Sequence, residues 1–350
     1  MPNVGKSTLF NALTKAGVAS SNYPFTTIDP NVGVVPIPDK RLDALFDIFK
    51  PPKKTPSYIK FVDIAGLVKG ASKGDGLGNK FLANIREVDA IVQVVRVFDN
   101  PDVVHVLGEV EPIRDIEVIE TELMLADLDA VEKMLEKNSG NVRSGNKEAK
   151  EKQEKLEKIK ELLSQGKPAK EAGYTAEEVR DFNLLTTKPV FFVANTSEKP
   201  NPAVQAGLRE FVKSRGAILV EISAKIESEL IELPDAEKAV FLKDMGEEYT
   251  GLEKMILAGQ RLLNIISFFT AGSEDEVRAW SLKNGLKAPQ AAGRIHTDFE
   301  KGFIRAEVYN FADIEKYREE KILREKGLIR SEGKEYVMKD GDICFFKFNV

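Results

Sequence analysis

The chain shows two kinds of hydrophobic pattern. Short apolar runs bounded by turn residues recur at Ile59-Lys60-Phe61-Val62-Asp63, Ala90-Ile91-Val92-Gln93-Val94-Val95, Pro189-Val190-Phe191-Phe192-Val193-Ala194-Asn195 and Ala217-Ile218-Leu219-Val220-Glu221-Ile222-Ser223. Runs this short, rich in β-branched and aromatic residues, predict buried strands. Helical stretches alternate with them, which predicts a doubly wound α/β fold, a mostly parallel sheet with helices on both faces. The last two runs end in polar residues, and the carboxyl ends of parallel strands are where open α/β sheets bind ligands.

Two stretches break this texture. In residues 118–181, Glu120 to Val131 carries apolar residues at helical spacing, and Lys147 to Leu163 is dense in Lys, Glu and Leu, with Leu156, Ile159 and Leu163 on one stripe. Asn138-Ser139-Gly140-Asn141 reads as the break between them, so the stretch predicts an antiparallel, coiled-coil-like helical hairpin. Strand texture resumes after it, which makes the hairpin an insertion into one domain formed by residues 1–117 and 182–265. Residues 266–350 form a third region. There Phe303 to Val308 and Ile343 to Phe348 predict strands, with Lys339-Asp340-Gly341-Asp342 as the turn before the last, a small α+β module.

Composition narrows the class. A length of 350 residues suggests two to three domains, and 42% apolar residues suffice for ordinary cores. A net charge of −5 gives no overall basic field for nucleic acid. The lysines of the hairpin (Lys147, Lys150, Lys152, Lys155, Lys158, Lys160) alternate with glutamates and read mostly as a solvated face. One cysteine, Cys344, allows no intramolecular disulfide, in keeping with a reducing compartment. No apolar run reaches the ~20 residues that span a bilayer, and Met1-Pro2-Asn3-Val4 opens into a motif without a leader pattern. A cytoplasmic protein is expected.

That motif, Asn3-Val4-Gly5-Lys6-Ser7-Thr8, is the second half of a phosphate-binding loop. Gly5 lets the backbone approach phosphates, Lys6 reaches β- and γ-phosphate oxygens as the candidate catalytic cation, and Ser7 offers its hydroxyl to Mg²⁺. The helix predicted from Thr8 onward adds N–H groups and its dipole. The full pattern also has a glycine five positions before Gly5 and a strand leading into the loop, and both would fall before Met1. Asp63-Ile64-Ala65-Gly66 closes a strand with an acid that can hold Mg²⁺ through water and a glycine N–H suited to the γ-phosphate. Thr27, in Asn22 to Pro30, is the threonine expected to close over the metal, with Thr26 the alternative. Leu67 stands where Ras-type GTPases place the glutamine that orients water. The glycine-rich stretch from Gly66 to Gly78 reads as a switch loop.

Asn195-Thr196-Ser197-Glu198 takes the place of the guanine-reading Asn-Lys-x-Asp, with Thr196 for the lysine and the longer Glu198 for the aspartate. Moving the carboxylate that pairs with guanine relaxes guanine selection and favours ATP. Ser223-Ala224-Lys225 matches the last base-contacting motif, whose N–H groups face the base.

These residues, together with Phe269-Thr270-Ala271-Gly272, Glu276 to Trp280 and Ala288 to Ile304, resemble the Obg-like ATPase family, also called YchF, over essentially the whole chain. The resemblance implies a nucleotide-binding domain of the GTPase type, a coiled-coil insertion and a C-terminal TGS domain of β-grasp form. It implies ATP hydrolysis with Mg²⁺, GTP as the weaker ligand, association with the ribosome and with RNA, and an apolar residue in place of the glutamine. No membrane partner is expected, and the chain is expected to be a monomer. His105 is a candidate to replace the glutamine, since imidazole can orient or deprotonate water near neutral pH; packing or surface exposure is the alternative. His296 reads as structural or partner-facing. Two functions stay open: an ATPase, or a nucleotide-gated ribosome- or RNA-binding module with negligible hydrolysis, which Leu67 favours. A nucleotide-dead scaffold is a third.

Overall fold

The structure, a computed structural model, describes residues 1–19, 31–64, 77–98, 108–197, 201–272 and 275–349. Thr27, Gly66, Leu67, His105 and Glu198 lie outside them. In chain order the elements begin with α1 (Lys6–Ala19), β1 (Val32–Pro36), α2 (Lys40–Phe49), β2 (Lys53–Thr55), β3 (Tyr58–Val62), α3 (Leu77–Glu87) and β4 (Ile91–Arg96). Next come α4 (Pro112–Arg143), α5 (Lys147–Ser164), β5 (Val190–Asn195), α6 (Pro202–Ser214), β6 (Leu219–Ile222), α7 (Ala224–Glu232), α8 (Asp235–Asp244) and α9 (Gly251–Leu262). The last are β7 (Ile265–Thr270), β8 (Glu276–Lys283), α10 (Ala288–Ile295), α11 (Thr297–Lys301), β9 (Phe303–Asn310), α12 (Phe311–Tyr317), α13 (Glu320–Glu325), β10 (Arg330–Glu332) and β11 (Asp342–Phe348).

Two compact units share these elements. Met1–Leu13, Ile28–Val32 and Val62–Leu252 make one; Thr14–Thr27, Gly33–Phe61 and Glu253–Val350 make the other.

In the first unit β4, β5 and β6 form a parallel sheet in that order, with Val94 opposite Val193 and Val193 opposite Val220. Every residue from Phe191 to Asn195 is buried, as expected of a parallel strand covered on both faces. The hairpin follows the expected antiparallel form but turns later than the sequence suggests. Asn138-Ser139-Gly140-Asn141 is helical, and the chain reverses only at Ser144 to Asn146. The reason is tertiary. The buried Asn138 amide donates to the Ala149 carbonyl at 2.7 Å and to Gln153 Oε1 at 3.2 Å, and a helical Gly140 costs only about 1 kcal/mol. The lysine face is less uniformly solvated than its alternation implies: Lys155 and Lys158 lean over the Tyr174 ring, and Lys160 pairs with Glu132 on the facing helix.

The second unit is built on a six-stranded sheet ordered β10-β9-β11-β7-β8-β2, and β1 pairs with β3 separately. Consecutive Phe268 and Phe269 point to opposite faces of the large sheet. Phe268 packs with Ala288, Ala291 and Ala292 of α10; Phe269 packs with Leu42 and Leu45 of α2, Ile314 and Leu323. β2 joins the edge strand β8 in parallel, Lys54 opposite Val277, so residues from the first third of the chain complete the C-terminal sheet. Arg41 fixes α2 from two sides, donating to Asp39 at the helix N-terminus and to Asp340 in the turn before β11. His296 caps α11, its ring nitrogen accepting from the Asp298 N–H at 3.2 Å.

Candidate functional site

The site is assembled at the start of α1 and the carboxyl ends of strands. Residues 1–5 bend directly into α1. Asn3 and Gly5 both adopt positive φ, 57° and 87°. Glycine takes that conformation at no steric cost, and Asn is among the few side-chain residues that tolerate it. Val4 and Leu9 anchor the loop in the core, while Ser7 and Thr8 stay exposed in the first helical turn beside the positive end of the helix dipole.

Lys6 bends back to form an ion pair with Asp63, the residue that follows β3. The two lie 57 positions apart, and the fold alone brings them together. Each group is about a quarter exposed and supplies the countercharge of the other. The Asp63 N–H donates to the Asn31 carbonyl at 2.7 Å, which pins the backbone at the strand end.

Asn195 is the hub. It ends β5, is buried, and uses both ends of its amide: Nδ2 donates to the Val4 carbonyl at 2.9 Å, and Oδ1 accepts from the Ala224 N–H at 3.0 Å. The phosphate loop and the Ser-Ala-Lys motif are therefore held by one side chain. Ser223 N-caps α7, its hydroxyl accepting from the Ile226 N–H at 3.4 Å. Thr196 turns toward β6, its N–H donating to the Ile222 carbonyl at 2.8 Å and its hydroxyl at 3.4 Å. Of the expected site residues, Asn3, Val4 and Gly5 form the loop and Lys6, Ser7 and Thr8 the first turn of α1 that continues it, Asp63 meets Lys6, and Asn195 is bonded to both Val4 and Ala224.

Three buried charges here escaped the sequence reading. Arg96 ends β4 beside Asn195, with its guanidinium 4.5 Å from the Phe98 ring centroid and Nε donating to the Phe98 carbonyl. Its one signal was a charge inside an apolar strand. Glu227 on α7 accepts from the Gly251 and Leu252 N–H groups and so caps α9. Asp127 on α4 accepts from the chain at Leu185 and Thr186, and burial pushes its carboxyl above the usual range. Helical periodicity conceals acids of this kind.

Among the described residues no group of three His, Cys, Asp or Glu side chains could cage a metal ion. One carboxylate, Asp63, and one exposed hydroxyl, Ser7, fit Mg²⁺ in the form it usually takes, keeping several waters and sharing substrate phosphate oxygens. No helix among the described residues is long and apolar enough to cross a membrane.

Comparison with known proteins points to one family. A family described as a 50S ribosome-binding GTPase matches residues 1–196, and the YchF-GTPase C-terminal family, described as a protein of unknown function, matches residues 265–349. The chain is 52% identical to the ribosome-binding ATPase YchF of Haemophilus influenzae, covering all of this chain and 98% of that one. It is 49% identical to the Bacillus subtilis protein of the same name, with the same coverage. The solved structure of the Schizosaccharomyces pombe YchF GTPase superposes with a TM-score of 0.88 at 41% identity, over 99% of this chain and 96% of that one.

Proposed function

This chain belongs to the YchF family, and from that premise we propose that it is a slow ATP-hydrolysing, ribosome-binding protein that prefers ATP to GTP. The observation that carries the reading is the meeting of Lys6 with Asp63 at the mouth of a loop tied down by Asn195. Mg²⁺, when bound with the nucleotide, neutralises phosphate charge; Ser7 and Asp63 are the groups that would hold it. Lys6 leaves Asp63 for the β- and γ-phosphate oxygens and there stabilises the charge that builds on the transferred group. The N–H groups at the start of α1 face the same phosphates. Thr27, Gly66 and His105 keep the roles read from the sequence: metal closure, a γ-phosphate contact and a water-orienting group.

The preference for ATP rests on Thr196 and Glu198 in place of the lysine and aspartate that read guanine, and on the name ATPase carried by the bacterial relatives. The domains are a nucleotide-binding domain (1–117 and 182–265), the coiled-coil insertion (118–181) and a TGS domain (266–350), with ribosome and RNA contact through the last two. The protein acts in the cytoplasm as a monomer. Leu67 favours a second reading, a nucleotide-gated ribosome binder with negligible hydrolysis.

Competitive titration of ATP and GTP with Mg²⁺, followed by turnover with and without ribosomes, tests both. ATP is expected to bind about tenfold or more tightly than GTP, the discrimination that loss of a paired hydrogen-bond reader allows. Equal or tighter GTP binding sinks the ATP assignment. ATP binding without turnover, even on ribosomes, selects the second reading.

A further inference from the structure

The root of the helical hairpin and the phosphate site share one packed cluster. Ile119, Leu123 and Ala126 of α4, Leu82 and Ile85 of α3, and Leu185 are all buried together. Ile64 packs against the same cluster, and it directly follows Asp63, the partner of Lys6. The residue next to Asp63 is thus packed against a cluster to which the hairpin's first helix contributes.

Two charged groups lock this bed. Asp127, wholly buried one residue beyond Ala126, accepts from the Leu185 N–H at 2.8 Å, the Thr186 N–H at 2.7 Å and the Thr186 hydroxyl at 2.6 Å. Those bonds hold the short turn Leu185–Thr187 against α4. From the next residue, the Lys188 ammonium donates to the Arg86 carbonyl at 3.0 Å and the Val88 carbonyl at 2.6 Å, at the end of α3. The turn is therefore tied to α4 by a carboxylate and to the end of α3 by an ammonium. Asp127 is buried and Lys188 half-buried; taking a carboxylate fully out of water costs several kcal/mol before its bonds repay it, and an apolar wedge would fill the space more simply. What the charges add is a fixed register between α3, the turn and α4.

We propose that Asp127 and Lys188 are positioning residues for nucleotide hydrolysis, fixing α3 and α4 as the rigid bed on which Ile64 places Asp63 opposite Lys6. The proposal rests on the ATPase reading above. Packed interiors shift between discrete arrangements rather than deforming continuously, so a loosened bed misplaces Asp63 in the transition state more than it weakens ground-state binding. The same packing makes the hairpin root part of the phosphate site, and a partner seated on the hairpin bears on Asp63 through it.

The test is steady-state ATP hydrolysis by the full chain carrying Lys188→Met, Thr186→Val or Asp127→Asn, with Lys188→Arg as the rescue. Asn138→Ala is the control, because it removes a buried bond of the same hairpin far along the helix from the root. For Lys188→Met and Thr186→Val, kcat is expected to fall about fivefold while KM stays within about twofold, within the range of couplings carried by packed networks. Lys188→Arg can donate to both carbonyls and is expected to keep most of the wild-type kcat. Asn138→Ala is expected to lower the melting temperature and leave kcat in place. Unchanged kcat in the two root variants overturns the proposal, and so does an equal fall in Asn138→Ala, which would make the effect one of stability. Asp127→Asn joins the comparison if it folds; the other variants decide without it. A wild-type chain that binds ATP but hydrolyses none overturns the ATPase reading, and this proposal with it.

Discussion

Replacing Asn195 by alanine tests the site at its hub. The side chain is 4% exposed and makes two bonds, to the Val4 carbonyl at 2.9 Å and from the Ala224 N–H at 3.0 Å. Val4 and Ala224 are themselves buried, so water does not readily replace what is removed. Leaving a buried donor or acceptor without a partner costs about 1–3 kcal/mol, so two such groups should cost about 2–4 kcal/mol once partial relaxation is allowed. At about 2–4 °C per kcal/mol for a unit of this size, the melting temperature should fall by roughly 5–15 °C. Urea unfolding gives the free energy directly, and ATP titration of the folded variant reads the site. Binding should weaken about tenfold or more, because the loop loses the contact that preorganises it. Asn195→Asp sharpens the test. It keeps an acceptor for the Ala224 N–H but turns an oxygen toward the Val4 carbonyl, so it should be no more stable than the alanine variant despite matching the native shape. Stability within about 0.5 kcal/mol of wild type, together with unchanged ATP affinity, would refute the hub.

Other consequences follow from single features. Gly5 has φ of 87°, and a Cβ built there lies 2.1 Å from Asn195 Nδ2; Gly5→Ala should therefore reproduce the ATP-binding loss of Asn195→Ala, and the double variant should bind no worse than either single one in the same titration. Cys344 is buried and its thiol is pushed well above the usual range by burial and by Asp342. A thiol reagent such as dithionitrobenzoate should leave it unlabelled in the folded protein and label it as urea unfolds the C-terminal unit.

The strands of the parallel sheet were legible because their signal is local. A run such as Val190 to Val193 is continuous, β-branched or aromatic, and too short for a helix, whatever surrounds it. The phosphate loop was legible for a related reason: its chemistry sits in six adjacent residues. The hairpin was legible as two helices, but its turn was misplaced. Gly140 and its polar neighbours argue locally for a break, and the contact that overrules them comes from α5, between residues 11 and 15 positions away. The placement of β2 and α2 on the C-terminal sheet was not legible, since neither carries any local mark of its distant partners.

The sequence by itself determined the alternation of strands and helices, the phosphate-loop motif, and the replacement of the guanine-reading lysine and aspartate by Thr196 and Glu198. These depend on residues close together in the chain, where backbone preference and side-chain chemistry act without knowledge of the fold. Only the tertiary structure decided that Lys6 meets Asp63, that Asn195 ties the loop to Ala224, and that Asp127 and Lys188 tie the chain at Leu185–Lys188 to α4 and to the end of α3. Each joins groups 29 to 191 positions apart, or lies beside such a link, and their bonds gain strength from burial that the surrounding core creates. A sequence shows which groups can make such bonds; burial, and the low dielectric that comes with it, selects the ones that form.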